Sequence, residues 1–279
     1  MPHLAVFGHT VLRPLVGDTR ARWLIGQVWA VCTMVWYSLR AQYARAALGI
    51  LWALLTPLLF LAVYVPLFTY VFNIQSPGND ALAFPLYVVC GFIGWAAFQE
   101  GLTQGTTALL YNPSIVKHSP APPALLPLVK VASSFVGLLA GSLLLVAFLV
   151  AVARFPGVRL VLWPVAVGLF FLLTWGLALF MAALAIYVRD LTQVLTTLLS
   201  VEFFACPLIW RVDMVPEHLR PWVLVNPLTP FLNLLRASLL PGAPFAWIDL
   251  GLACAWAVGA LLLGHLVFAR LEPGFADAA

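Results

Sequence analysis

Charge is what this chain has least of. Of its 279 residues only 9% are Asp, Glu, Lys or Arg, while 63% are hydrophobic; a soluble domain carries about 25% charged residues. With a mean hydropathy of +1.03, the chain takes the bilayer as its solvent. The length suits several spans in one membrane domain, with little left for a separate soluble unit. Cysteine is also scarce. Cys32, Cys90, Cys206 and Cys254 lie far apart in apolar runs, with no CxxC pair and no Cys/His cluster. That spacing argues against a disulfide framework or a zinc site and predicts four small buried hydrophobes. The net charge of +4 is scattered, so nucleic acid is not an expected partner.

Catalytic patterns are missing as well. The chain has no GxxxxGK(S/T) phosphate loop, no HExxH, no GxSxG and no acidic metal signature. His3, His9, His118, His218 and His265 fall in different segments and suggest no shared site. The expectation is a protein that is not an enzyme and binds no cofactor or metal of its own. Met1 to Arg22 lacks a long apolar core and contains His9, Arg13, Asp18, Arg20 and Arg22, so it does not read as a secretory signal.

What is present is a series of apolar stretches. A spanning helix needs about 20 such residues. Hydropathy predicts spans at 50–72, 84–105, 125–153, 160–186, 192–211 and 247–269. Trp23 to Leu39 is uncharged but short and two-faced: Leu24, Val28, Val31, Val35 and Leu39 share one side, and Gly26, Gln27, Ala30, Thr33 and Tyr37 the other. That pattern predicts a helix lying in the membrane interface. The expected fold is therefore an all-α membrane protein of six transmembrane helices preceded by an amphipathic interface helix. Residues 1–49 form the cytoplasmic N-terminus and interface helix, 50–270 the permease domain and 271–279 a cytoplasmic tail.

Basic residues orient it. Arg13, Arg20, Arg22, Arg40, Arg45, Lys117, Lys130, Arg189 and Arg270 fall on one side, and Arg154, Arg159, Arg211, Arg220 and Arg236 on the other. The positive-inside rule then places both termini in the cytoplasm. Between spans five and six, Pro216, Pro221, Pro227, Pro230, Pro241 and Pro244 forbid a continuous helix. A short helix over 228–239, with Asn226 as its cap, predicts a re-entrant element or external gate.

Two carboxylates fall inside spans, Glu100 and Glu202. An ionised group there costs roughly 2.5–3.5 kcal/mol on insertion scales, so it turns toward protein or water. Glu202 is a candidate channel-lining residue, with interhelical hydrogen bonding as the alternative. Tyr64, Phe68 and Phe203 are further channel-lining candidates, since aromatic faces suit sugar C–H surfaces; lipid contact and packing are the competing roles.

Several motifs resemble one family in order and spacing. Arg40, Tyr43 and Arg45, followed by Leu48-Gly49-Ile50-Leu51-Trp52 and Pro57, resemble the passage from interface helix to first span. Tyr111-Asn112-Pro113-Ser114-Ile115-Val116-Lys117-His118, followed by Pro120, Pro122 and Pro127, is similar to the loop between spans two and three. Tyr187-Val188-Arg189-Asp190-Leu191 is similar to the turn between spans four and five. Pro207, Met214-Val215-Pro216-Glu217, Asn226-Pro227-Leu228 and Arg236-Ala237 are similar to the outer segment. Together they resemble the membrane subunit of ATP-binding-cassette exporters of the type-2 permease family, in its polysaccharide-exporting branch.

The resemblance implies two copies of the chain pairing around the path, with two cytoplasmic cassette ATPases holding the ATP and Mg. It implies a lipid-linked polysaccharide cargo such as O antigen, capsule or teichoic acid, in a bacterial inner membrane. Asn112, Pro113, Lys117, His118, Pro122, Arg189 and Asp190 become ATPase-coupling candidates, with a helix-capping role as the alternative for Asp190. Met214, Pro216, Asn226, Pro227 and Arg236 become gate candidates. An exporter of drugs or small lipids, and a stand-alone transporter, remain as alternatives.

Overall fold

The computed structural model describes residues 19–43, 80, 82–118, 121–188 and 190–278, together with positions 51, 55, 58–59, 62–64 and 66–67. Among these residues every regular element is helical. In chain order they are α1 (Thr19–Tyr43), α2 (Ala83–Thr107), α3 (Pro113–His118), α4 (Leu125–Ala151), α5 (Trp163–Ala185) and α6 (Leu191–Ala205). There follow α7 (Arg220–Val225), α8 (Thr229–Leu239), α9 (Trp247–Leu271) and α10 (Phe275–Ala278). Short 3-10 turns at Gly157–Leu162, Val212–Met214 and Glu272–Gly274 link them.

Proline and chain geometry set several ends. Pro164 opens α5 and Pro230 opens α8 at first-turn positions, where a missing N–H costs nothing. The expected span over 192–211 stops early, at Ala205. Cys206 precedes Pro207 and is driven to extended backbone, with φ −91° and ψ 152°. Leu240 before Pro241 ends α8 in the same way. At 1.5 Å per residue the 15 residues of α6 reach roughly 22 Å, short of a hydrocarbon core of about 30 Å.

Among the described residues three stretches are long and apolar enough to cross a membrane: Leu125–Ala151, Gly157–Ala185 and Trp247–Gly274. Most of the expected first span over 50–72 lies outside the described residues. The N-terminal helix is longer than the expected 23–39, and Lys130 of α4 donates to Ser38 on it at 3.4 Å. Trp29, Trp36 and Tyr37 stay exposed.

Lipid tails are as apolar as leucine, so close packing rather than water exclusion holds such helices together. The tightest seam joins α5 to α9. Ala253, Ala257, Ala260 and Gly264 repeat along one face of α9, and Gly176 of α5 meets them. A Cβ on Gly176 would collide with the backbone of Ala260 and Leu261, and one on Gly264 with the Gly176 carbonyl. At the centre, Phe170 of α5 stacks on Phe98 of α2 (centroids 5.8 Å) and Phe231 of α8 (5.3 Å), and meets Phe135 of α4 edge-on (5.9 Å). Helix α8 is thus wedged into the bundle, with ten of its eleven residues buried.

The loops segregate to two ends. At one, Leu109, Ile186, Phe268 and Phe275 pack together with Val116, and Tyr187 donates to the Leu271 carbonyl at 3.0 Å. At the other, Arg154 bonds Asp80 at 2.6 Å and Arg159 reaches the Ala243 carbonyl. Two of the four cysteines depart from expectation. Cys90 and Cys206 are buried, whereas Cys32 and Cys254 are exposed, because an apolar helix in a bilayer needs no buried face at every turn.

Candidate functional site: a groove between two helices

Helix α6 lies loosely on the bundle, burying only Leu195 and Leu199 of its fifteen residues. Its inward side and α2 border an open groove of about 310 Å³. Phe92, Trp95, Ala96 and Gln99 line it from α2, and Leu199, Ser200, Phe203 and Phe204 from α6. The rings form a continuous set: Tyr64 stacks on Phe92 at 4.8 Å, Phe92 and Trp95 meet Phe203 at 5.5 and 5.6 Å, and Phe203 meets Phe204 at 5.0 Å. Tyr64 and Phe203, both expected on sequence grounds, therefore come together, while Phe68 lies outside the described residues.

Below the rings the wall turns polar. Gln99 and Thr103 are exposed on α2, and Gln193, Thr196 and Ser200 on α6. Each set recurs at helical spacing and shares a face with the ring-bearing residues of its helix. The two helices run antiparallel, so Gln99 and Ser200 share the groove and Thr103 and Thr196 follow one turn on. Sequence reading missed these residues. Their signal was a polar stripe, at positions 99, 103 and 107 on one helix and 193, 196 and 200 on the other, within segments otherwise counted as apolar.

Hydroxyl hydrogens in this wall are already committed. Thr196 donates to the Thr192 carbonyl at 3.0 Å, Ser200 to the Thr196 carbonyl at 2.9 Å and Thr107 to the Thr103 carbonyl at 3.1 Å. What these oxygens turn outward is lone pairs, so the wall mainly accepts hydrogen bonds. Glu100 takes the Gln104 amide at 3.0 Å.

Glu202 sits elsewhere. It is half-buried and accepts a 2.7 Å hydrogen bond from the Asn226 side-chain amide, and the groove lining does not include it. Asn226 in turn accepts the Leu228 N–H at 2.8 Å, a turn of the kind expected before α8. A channel candidate and a gate candidate are thus one joined pair.

The outer segment divides into two parts. Met214 and Pro216 are exposed, as is most of 213–225, and Pro227 is half-buried. Arg236 is buried instead. It donates to the Pro207 carbonyl at 2.7 Å and the Tyr87 carbonyl at 3.2 Å, and its guanidinium lies 3.5 Å over the Tyr87 ring. A Cβ on Gly91 would sit 2.5 Å from its Nη2, so the glycine leaves room for the arginine. Arg236 pins α8 to α2 and to the turn after α6.

The proposed coupling residues gather at the other end. Asn112 caps α3 by accepting the Ile115 and Val116 N–H groups on its carbonyl, and its side chain donates to Ala108 at 2.8 Å. Pro113, Lys117, His118, Pro122 and Asp190 are exposed, and Arg189 lies outside the described residues. Asp190 makes no side-chain cap to α6; only its carbonyl accepts from Gln193 and Val194. The capping alternative is therefore not what its carboxylate does here. Helix α10 rests on α3, and Phe275 packs against Tyr187 with ring centroids 6.3 Å apart, so both loops share this end with the C-terminus. On α1, Arg40 lies 4.7 Å over the Trp36 ring; Tyr43 is the last helical residue, and Arg45 lies outside the described residues.

Among the described residues no group of His, Cys, Asp and Glu is placed to hold a metal ion. Residues 30–240 match the family model described as ABC-2 type transporter. The O-antigen export system permease protein RfbA of Klebsiella pneumoniae is 24% identical over 245 residues, covering 86% of this chain and 90% of that one. RfbA of Myxococcus xanthus is 28% identical over 186 residues, 67% and 70% of the two chains. The polysialic acid transport protein KpsM of Escherichia coli is 21% identical over 241 residues, 84% and 90%.

Proposed function

Because this chain belongs to the ABC-2 type transporter family, we propose that it is the membrane-spanning subunit of an ATP-driven exporter that moves a lipid-linked polysaccharide, such as an O antigen, across the bacterial inner membrane. The observation that carries the reading is the groove between α2 and α6. Flat aromatic faces followed by a neutral polar stripe give a sliding sugar chain weak, repeated contacts, with no single binding step deep enough to stall it. Similarity along most of the chain to permeases named for O-antigen export supports the cargo class.

The rest of the assembly follows from the two ends. Six spans with both termini in the cytoplasm put α3 and the 186–190 turn on the inner side. There Lys117, His118, Arg189 and Asp190 meet two cassette ATPases, which hold the ATP and Mg that this chain does not bind. A second copy completes the path, since the exposed α6 side leaves the groove open on one flank. At the outer end, 211–225 forms the movable rim and α8 its fixed base.

The test is reconstitution of export. A strain deleted for this gene should lose surface polysaccharide and accumulate the lipid-linked polymer inside. The chain together with its ATPase should restore display, and neither alone should. Restoration by the chain without any ATPase would overturn the reading.

A further inference from the structure

The groove carries information about which polymer passes. Helices α2 and α6 hold one charged residue each, Glu100 and Glu202, and both are acidic. Tyr64, which packs onto the aromatic set, is uncharged. Lys and Arg are absent from both helices. The polar wall accepts hydrogen bonds, because Thr107, Thr196 and Ser200 have given their hydrogens to backbone carbonyls. Its donors are neutral ones, the Gln99 and Gln193 amides and the Trp95 indole.

Sugar hydroxyls are donors as well as acceptors and match such a surface. A carboxylate or phosphate only accepts, so it would face lone pairs and π faces with no cation to balance its charge. At membrane depth an ionised group without a partner is costly. Resting on the exporter reading above, we infer that this path selects polymers of uncharged, hydroxyl-rich sugars and rejects those whose repeating unit carries carboxylates.

A matched cargo pair tests this. Inside-out vesicles carrying the chain with its ATPase are offered a lipid-linked uronic-acid polysaccharide, before and after chemical reduction of its carboxyl groups to alcohols. Length, anchor and sugar order are then identical. ATP-dependent uptake of the reduced form should be at least about tenfold faster, equivalent to about 1.4 kcal/mol. Thr196→Lys should narrow that ratio by admitting the acidic form. Equal uptake of both forms by the unaltered complex would overturn the inference and leave the exporter reading standing. Uptake of neither form, by a complex that assembles and hydrolyses ATP, would remove both.

Discussion

Helices α6 and α8 are close in sequence, similar in length and opposite in how they are held. Ten of eleven residues of α8 are buried, against two of fifteen in α6. Helix α8 is fixed by the Phe170–Phe231 stack and by Arg236 over Tyr87. By contrast α6 leans on α2 through a few rings and exposes Val194, Leu198, Val201 and Phe204. The difference teaches that the stretch from α6 to α9 is not held uniformly. Its proline-bounded helix is packed into the bundle, while α6 and residues 213–225 are largely exposed.

That division is open to attack, first at the seam that makes the bundle rigid. Gly264→Leu would drive a side chain into the Gly176 carbonyl, and overpacking of this kind costs about 3 kcal/mol or more. The expected result is loss of monodisperse protein in detergent, read by size-exclusion chromatography. A direct pairing comes next. Phe231→Ala should cost roughly 3–5 kcal/mol, as for a buried aromatic, whereas Phe204→Ala on exposed α6 should stay within about 0.5 kcal/mol. Thermal melts of the two variants decide it; equal losses would erase the contrast between the helices.

Arg236 gives a sharper probe of how α8 is seated. Arg236→Lys keeps the charge but loses the planar fork that reaches two carbonyls and a ring at once. A destabilisation of about 2 kcal/mol is expected, with Gly91→Ala giving a smaller loss in the same direction as its methyl presses on the guanidinium. The smallest effect belongs to the Arg154–Asp80 pair. The hydrogen bond from Arg154 holds the Asp80 carboxyl below its ordinary range, against partial burial that pushes it up. A depressed carboxyl stabilises the fold above its unfolded-state value, and the contribution disappears as pH falls through the folded one. Both side chains are about a third exposed, so screening limits the pair to about 0.5 kcal/mol. The melting temperatures of the unaltered protein and Asp80→Asn should differ slightly at neutral pH and converge in acid.

How much of this was legible beforehand follows the same division. Hydropathy located α4, α5 and α9 within a few residues, because long apolar runs without breakers have one outcome in a bilayer. Proline spacing gave α8 its position and Asn226 its turn. It could not give the burial of Arg236, which depends on Gly91 and Tyr87 lying opposite it from 145 or more residues away along the chain. The early end of α6 was readable in principle from Pro207, yet the apolar run past it hid the break. Depth alone left Glu202 with two expectations, a channel-lining role and an interhelical hydrogen bond; its partner Asn226 is visible only once the chain folds back. The polar stripe of Gln99, Thr103, Thr196 and Ser200 was present in the sequence throughout. Hydropathy averaging concealed it, since one polar residue per turn barely moves the mean of a spanning window.

The central claim is that the face of α6 carrying Thr196 and Ser200, and no lipid-facing surface of the bundle, is where cargo passes. In a cysteine-free version of the chain assembled with its ATPase, Ser200→Cys and Leu262→Cys place single thiols on the groove and on an exposed face of α9. Export is measured before and after a bulky thiol reagent, with labelling quantified. The account predicts that modification at 200 stops export while that at 262 leaves it unchanged. Full labelling at 200 with undiminished export would contradict it.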